Sequence, residues 1–440
     1  MAAILRNIVR AFIIRHIYGP LIIISRFLLP ALHIRMVLEQ PTVARRRKAL
    51  ATLPSQLTGA YAQMVNRIQT SSSMSGLGMR VLVWLHLAKR PLKLEEIQHA
   101  LAVERGDIKF DVEAIPAKKR LLDCCLGLVI VDEETSTIRL VHYTLEEYFR
   151  VHSSTVFPYG YSTAAEICLT YLNLRELSVE CKTYANMMQQ LKKFPFLEYA
   201  SCHWGHYAAE AEGVEISGLA TNILLSKGKR LPHISLQVLY YDVRGVSEQL
   251  PEQLYAYSID FLGVHAAAHF GLEAHMPVLG DRQGWNAPVR DIGSPLSCAT
   301  SAGHEAVVRM LLEQEEVDVN SRGRYDQTPL LSAAQRGNEA VVRLLVQRKD
   351  VNANSKGLGG TTPLLSAAVE GYEDIARLLL ERGDVDANAR DRFGRPALSC
   401  AAEAGHEAVV RLLLEWEGVD FLLPPLPPFS IWCIVHLNFI

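Results

Sequence analysis

A few clusters in this chain of 440 residues carry side chains able to do chemistry. Cys202-His203-Trp204-Gly205-His206 gathers metal-ligating groups, but no second pair stands at the spacing of a zinc site, so a helix with aromatic packing accounts for it. Gly357-Leu358-Gly359-Gly360-Thr361-Thr362 is the nearest approach to a phosphate-binding loop. It has no lysine after the glycine pair, so backbone cradle and terminal-phosphate charge are both missing. Lys118, Lys119 and Arg120 supply the charge that phosphate contacts need, although Pro116 is expected to interrupt the helix there and Glu113 and Asp123 flank it. His142 reads as a satisfied histidine at a strand-to-helix junction. His304 and His406 occupy matching places in a repeat, where a catalytic group would occur once. No serine lies in a Gly-x-Ser-x-Gly setting and no acid pair stands out. The expectation is no catalytic residue, no metal, no cofactor and no bound nucleotide.

The elements behind these residues are set by a period. Thr328-Pro329-Leu330-Leu331-Ser332-Ala333-Ala334 returns as Thr362-Pro363-Leu364-Leu365-Ser366-Ala367-Ala368, with weaker copies at Ser294-Pro295-Leu296 and Pro396-Ala397-Leu398. Glycines follow at 303, 337, 371 and 405, a constant step of 34 residues. A fixed step of this size marks a solenoid. In the two clearest units Thr328 and Thr362 cap a first helix, Pro329 and Pro363 occupy its first turn, and Gly337 and Gly371 end it. A second helix follows, such as Asn338 to Leu345, with Val341, Leu344 and Leu345 on one face. A polar connector, Asp350 to Asn354 for example, then turns the chain.

This pattern resembles the ankyrin repeat over Ser294 to Asp420. A degenerate copy is expected at Val264 to Leu279, with Gly271 in the glycine place and Pro277 interrupting its second helix. That makes four good repeats and one worn one within 259–420. A binding solenoid of this kind implies a protein partner. The first-helix positions free to vary are Gln335, Arg336, Val369, Glu370 and Glu403. At the tips Tyr325 and Phe393, each five residues before the repeat leucine, stand beside Arg324 and Arg392, the composition of an interface hot spot. Stacking between neighbouring hairpins is the competing use of the two rings.

Upstream, Leu57, Tyr61, Met64, Val65 and Ile68 mark an amphipathic helix, a second runs from Met79 to Ala88, and Leu94, Ile97 and Leu101 mark a third. Two strands, Leu128–Val131 and Ile138–Val141, follow with a polar turn between. Thr144-Leu145-Glu146-Glu147 reads as a capping box opening a short helix. Three helices and a two-stranded wing describe a winged helix. Trp84-Leu85, Arg90-Pro91-Leu92, Leu94-Glu95-Glu96 and Val141 to Tyr148 resemble the winged helix of glycosylphosphatidylinositol-inositol deacylase type, and Arg47 to Pro54 resembles the segment before it in fungal NACHT-ankyrin proteins. In that family the winged helix packs and relays, which disfavours nucleic-acid binding, and the domain's name implies no deacylase activity. The family's NTPase engine is not matched by any residues here.

The expected architecture is mainly α: a winged-helix domain with its preceding helices over 38–155, a helical spacer over 156–258, then the ankyrin-repeat solenoid over 259–420. The chain reads as a non-enzymatic interaction scaffold. A nucleic-acid-associated winged helix, or a fragment of a signalling NTPase, are the other readings. Residues 1–37 are apolar yet basic, and residues 1–50 hold nine Lys and Arg against one acid, Glu39. Their charges leave no uncharged run long enough to span a membrane. The Pro-rich tail 421–440 breaks the repeat. Eight cysteines without paired spacing point to reduced thiols inside a cell.

Overall fold

The computed structural model describes residues 57–70, 75–177, 181, 183–211, 214–225, 234–244, 261–289 and 292–419. The segments 1–37 and 421–440, and the Arg47 to Pro54 stretch, lie outside the described residues. The fold is mainly α. The chain divides into two compact units, one built from residues up to Glu176 together with Leu191–Tyr199, the other from Leu177–Gln190 and from Ala200 onward.

In the first unit, α1 (Leu57–Thr70) buries Ala60, Tyr61, Met64, Val65 and Ile68 on one face. In α2 (Ser75–Leu87), Trp84 lies within the core against the edges of Phe196 and Tyr199, at 5.3 and 6.1 Å. β1 (Leu92–Lys93) leads into α3 (Leu94–Leu101), and α4 (Lys118–Cys124) precedes the hairpin of β2 (Val129–Asp132) and β3 (Thr137–Leu140). The expected two-stranded wing is therefore three-stranded, in the order β1-β3-β2, antiparallel, with Leu92 opposite Ile138 and Val129 opposite Leu140. The short β1 was hidden because two residues give no alternation to read. Pro116 precedes α4 rather than breaking it.

Two hallmarks prove to be one construction. Glu96 is buried, accepts from the Lys93 amide at 2.7 Å, and so closes the start of α3. The Arg90 guanidinium donates to both of its oxygens at 2.7 and 2.9 Å and lies 5.0 Å over the Tyr199 ring. The expected capping by Thr144 is displaced by two residues. His142 caps α5 (Tyr143–Val156), its Nδ1 accepting from the Thr144 amide at 3.3 Å, while Thr144 Oγ1 pairs with Tyr61 at 2.8 Å. A histidine acceptor gives no sequence signal of the Ser/Thr/Asp kind. α6 (Gly160–Leu172) packs on α2 and α3 within the first compact unit.

α7 (Tyr184–Lys193), α8 (Phe196–Glu210), α9 (Val214–Leu224) and α10 (Ile234–Arg244) lead to the solenoid. Its helix pairs are α11 (Gly263–Phe270) with α12 (Met276–Gln283), α13 (Pro295–Ala302) with α14 (Glu305–Leu312), α15 (Pro329–Arg336) with α16 (Glu339–Val346), α17 (Pro363–Glu370) with α18 (Glu373–Glu381), and α19 (Ala397–Ala404) with α20 (Glu407–Glu415). First helices pack on first helices, and from α14 onward second helices pack on second helices. Pro277 opens α12 in its first turn rather than interrupting it, where its missing N–H costs nothing. Thr328 and Thr362 accept from the amides of Leu331 and Leu365 at 3.4 and 3.3 Å, as their cap positions predict.

The glycines at 271, 303, 337, 371 and 405 are all left-handed, with φ between 74° and 82°. Each of the first four is covered by the residue after the next glycine: His304 over Gly271, Asn338 over Gly303, Tyr372 over Gly337, His406 over Gly371. A Cβ there would come within 2.5–3.0 Å of that side chain. His304 and His406 donate through Nε2 to the carbonyls of His269 and Val369, both at 2.9 Å, and Asn338 donates to Thr300 at 2.8 Å. A second ladder runs through the connectors. Asn320, Asn354 and Asn388 donate to the carbonyls of Asp350, Asp384 and Gly418 at 2.8, 2.6 and 2.7 Å. Both sets satisfy backbone groups that helix ends and turns leave open.

Candidate interaction surface

Cys202 to His206 lies on α8, where Trp204 packs against Phe270 at 5.2 Å. Among the described residues no group of three or more His, Cys, Asp and Glu is placed to hold a metal. Gly357 to Thr362 forms a hairpin tip between repeats. Lys118 pairs with Glu133 at 2.6 Å, and Arg139 faces Asp132 at 3.6 Å, so part of the wing's positive charge is met within its own unit. No described helix is long and apolar enough to cross a membrane.

The residues singled out on the solenoid divide into two groups. Gln335 and Glu403 are internal braces. Gln327 Nε2 donates to Gln335 Oε1 at 2.5 Å, and in the equivalent places two repeats later Arg395 donates to Glu403 at 2.7 Å. Each brace ties a hairpin to the last turn of its own repeat's first helix. Both side chains remain exposed, so each is a surface position that also makes a bond within its own repeat, which sequence position alone did not reveal.

The second group is open. Tyr325 is 51 % exposed and Phe393 65 % exposed, and Leu358, at the tip between them, is 66 % exposed. Val369, Glu370 and Arg336 are also exposed. The side chain of Arg324 lies outside the described residues. The two aromatic tips are not built alike. Tyr325 and Asp326 are both left-handed, at φ 56° and 60°, where the next repeat has Gly359 and Gly360 at 78° and 76°. Phe393 instead precedes Gly394, which takes the left-handed turn at 76°. Its ring carries the guanidinium of Arg392 at 4.6 Å and of Arg395 at 5.1 Å, so its neighbours are cations rather than the next hairpin's ring.

Tyr325 lines two recesses at once. One, of about 500 Å³, is walled by His269, Ser297, Ser301, Ser332, Arg336 and Glu370. The other, of about 280 Å³, lies between Leu331, Leu358 and Ser366, with Gln327 and Gln335 on the rim of both. At the first recess, burial together with His206, His304 and Arg336 pushes His269 down to about 3, so it is neutral at physiological pH. Arg336 is then the wall's fixed cation and Glu370 its anion.

Asp391 organises the last tip. It accepts from Arg395 Nε and Nη2 at 2.9 and 2.8 Å and from the amides of Phe393 and Arg395 at 2.8 and 2.9 Å. Burial would raise its pKa, but these bonds outweigh it and the carboxyl is held below its ordinary value. The turn thus fixes Phe393 in its exposed position.

The ankyrin family description, "Ankyrin repeats (3 copies)", matches residues 264–356 and 349–423, and "GPI inositol-deacylase, winged helix domain" matches residues 65–155. The Azaphilone pigments biosynthesis cluster protein L of Monascus ruber is 27% identical over 298 residues, 60% of this chain and 60% of the relative. The chain therefore spans about three fifths of that relative's length. The chain carries a winged-helix domain of this type followed by ankyrin repeats, and the repeats point to protein–protein interaction.

Proposed function

We propose that the chain is a non-enzymatic protein-interaction scaffold that takes its partners on the hairpin tips and adjoining concave face of the ankyrin stack. The observation that supports this most is Tyr325. A β-carbon-bearing residue is held in a left-handed conformation where a neighbouring repeat uses glycine, and its ring is half exposed between two recesses. Such strain costs about 1–2 kcal/mol and tends to persist where a side chain has a use. Phe393 between two guanidiniums adds a second anchor of hot-spot type.

In this reading the winged helix is a packing and relay element, and the whole is the sensing arm of a signalling protein of NACHT-ankyrin type, working inside a cell without nucleotide, metal or cofactor of its own. The test is affinity capture with the intact chain and with a Tyr325→Ala, Phe393→Ala double variant. A partner held by the first and released by the second is the expected result. Equal retention of every partner sinks the tip assignment.

A further inference from the structure

The tips carry a charge pattern that the stack as a whole does not. Residues 293–420 hold 14 Lys and Arg against 20 Asp and Glu. The three tips, 321–327, 355–361 and 389–395, hold 6 of those cations and 2 of the acids, leaving 8 cations against 18 acids elsewhere. The solenoid is acidic with a basic edge. Its cations keep the repeat step: Arg322, Lys356 and Arg390 stand 34 residues apart.

Both tip acids are already used. Asp326 pairs with Arg322 at 2.5 Å, and Asp391 is bound by Arg395, which also reaches Glu403. Lys356, Arg390 and Arg392 are exposed and have no carboxylate partner among the described residues. Interleaved with them are the exposed Tyr325, Leu358 and Phe393, one to each tip. The recess between Tyr325, Leu331 and Leu358, about 280 Å³, accepts one large apolar side chain.

We infer that this edge receives an extended, acidic segment of a partner protein that carries an apolar residue at every third position. The inference rests on the tips being the protein-binding surface and names the chemistry of what they bind. Stacked helices lie about 8–10 Å apart, so successive tips repeat at about that distance. A chain in the extended polyproline II conformation advances about 3.1 Å per residue with about three residues per turn, so every third side chain falls on one face and one turn matches one repeat. Apolar side chains at that step meet Tyr325, Leu358 and Phe393 in turn. The two residues between them face Lys356, Arg390 and Arg392, where Asp or Glu finds its counter-charge. A nucleic acid would stack on the same rings, but a long polyanion also meets the acidic remainder of the stack, which repels it.

The probe is a fluorescently labelled peptide of about five tandem Leu-Glu-Asp triplets, long enough to span the tips, titrated into the full chain by anisotropy. Saturable binding that weakens as salt rises is expected. Replacing Leu by Ser in the peptide, or making Arg390→Glu with Arg392→Glu in the protein, is expected to weaken binding about tenfold or more. Phe393→Ala weakens it with little change in salt dependence. Equal binding of a Leu-Lys-Lys peptide, equal binding of the Ser peptide, displacement by an oligouridylate, or no binding of any probe overturns the proposal. The variants lie on exposed tips, and far-UV circular dichroism checks that they stay folded. If the acidic peptide fails while Tyr325→Ala with Phe393→Ala still releases a captured partner, protein binding stands and only the acidic class falls.

Discussion

His304 joins two repeats through His269: its Nε2–H donates to the His269 carbonyl at 2.9 Å while its ring covers Gly271. The same place in each later repeat is filled by Asn338, Tyr372 or His406, so the glycine ahead is constrained twice, by its left-handed φ and by the side chain above it. The two constraints separate experimentally. At Gly337 a Cβ would come 2.8 Å from the Tyr372 ring, whereas at Gly405 nothing lies within 4 Å. Gly405→Ala is expected to cost about 1 kcal/mol from backbone strain alone. Gly337→Ala adds overpacking and costs about 3 kcal/mol. Urea unfolding midpoints of the two variants measure the difference; equal losses would show that the covering side chain yields freely.

Acid should weaken the solenoid at its first repeat. His265 is fully buried, accepts the Leu262 amide at Nδ1 and donates from Nε2 to the Ala287 carbonyl at 2.8 Å, and burial pushes it down to about 4. The unfolded chain takes up the proton near pH 6.5, about 2.5 units earlier. The stability that the neutral ring supports is present above that pH and is lost as pH falls towards 4. The loss reaches about 2–3 kcal/mol by about pH 4.5. His265→Gln should flatten the stability profile between about pH 6.5 and 4.5, read by denaturant titration at each pH.

Tyr325→Gly should separate stability from binding. The variant relieves strain at φ 56° but frees the unfolded chain, for a net gain of about 0.5–1 kcal/mol. Partner retention should drop in the same protein. A loss of stability would mean that the ring's packing outweighs the strain of its backbone.

In the winged-helix unit, Glu96→Gln keeps the shape of the side chain and removes its charge. Arg90 then loses its anion beside the Tyr199 ring while the Lys93 amide keeps an acceptor. A loss of about 2 kcal/mol is expected, less than for a wholly buried pair because the Arg90 side chain is 36% exposed. Thermal denaturation of the intact chain, followed through Trp fluorescence, tests it.

Much of the scaffold was legible in the sequence because its rules are local. Thr-Pro before a helix and Gly after it need no distant information, and those caps lie where the spacing puts them. The role of His304 and His406 as structural repeats followed from their recurrence, although what they bind did not. What escaped depends on partners far along the chain or on conformation. The brace from Arg395 to Glu403 pairs residues eight apart at the two ends of α19, a spacing that gives no helical signal, so the bond at this exposed position went unseen. Tyr325 and Phe393 match in register, yet one tip turns at the aromatic and the other at the following glycine. The exposed Leu358 lay inside a glycine cluster that drew attention to phosphate chemistry instead.

The asparagine ladder has a consequence for how such a protein changes length. Asn320, Asn354 and Asn388 each hold the connector one repeat ahead, through bonds remade at a fixed interval. A tandem copy of residues 328–361 would arrive with its own rungs and find the matching carbonyls on either side. The array can therefore lengthen or shorten by whole modules while every seam stays closed, so duplication and deletion remodel its reach with less disruption than point substitution at a seam.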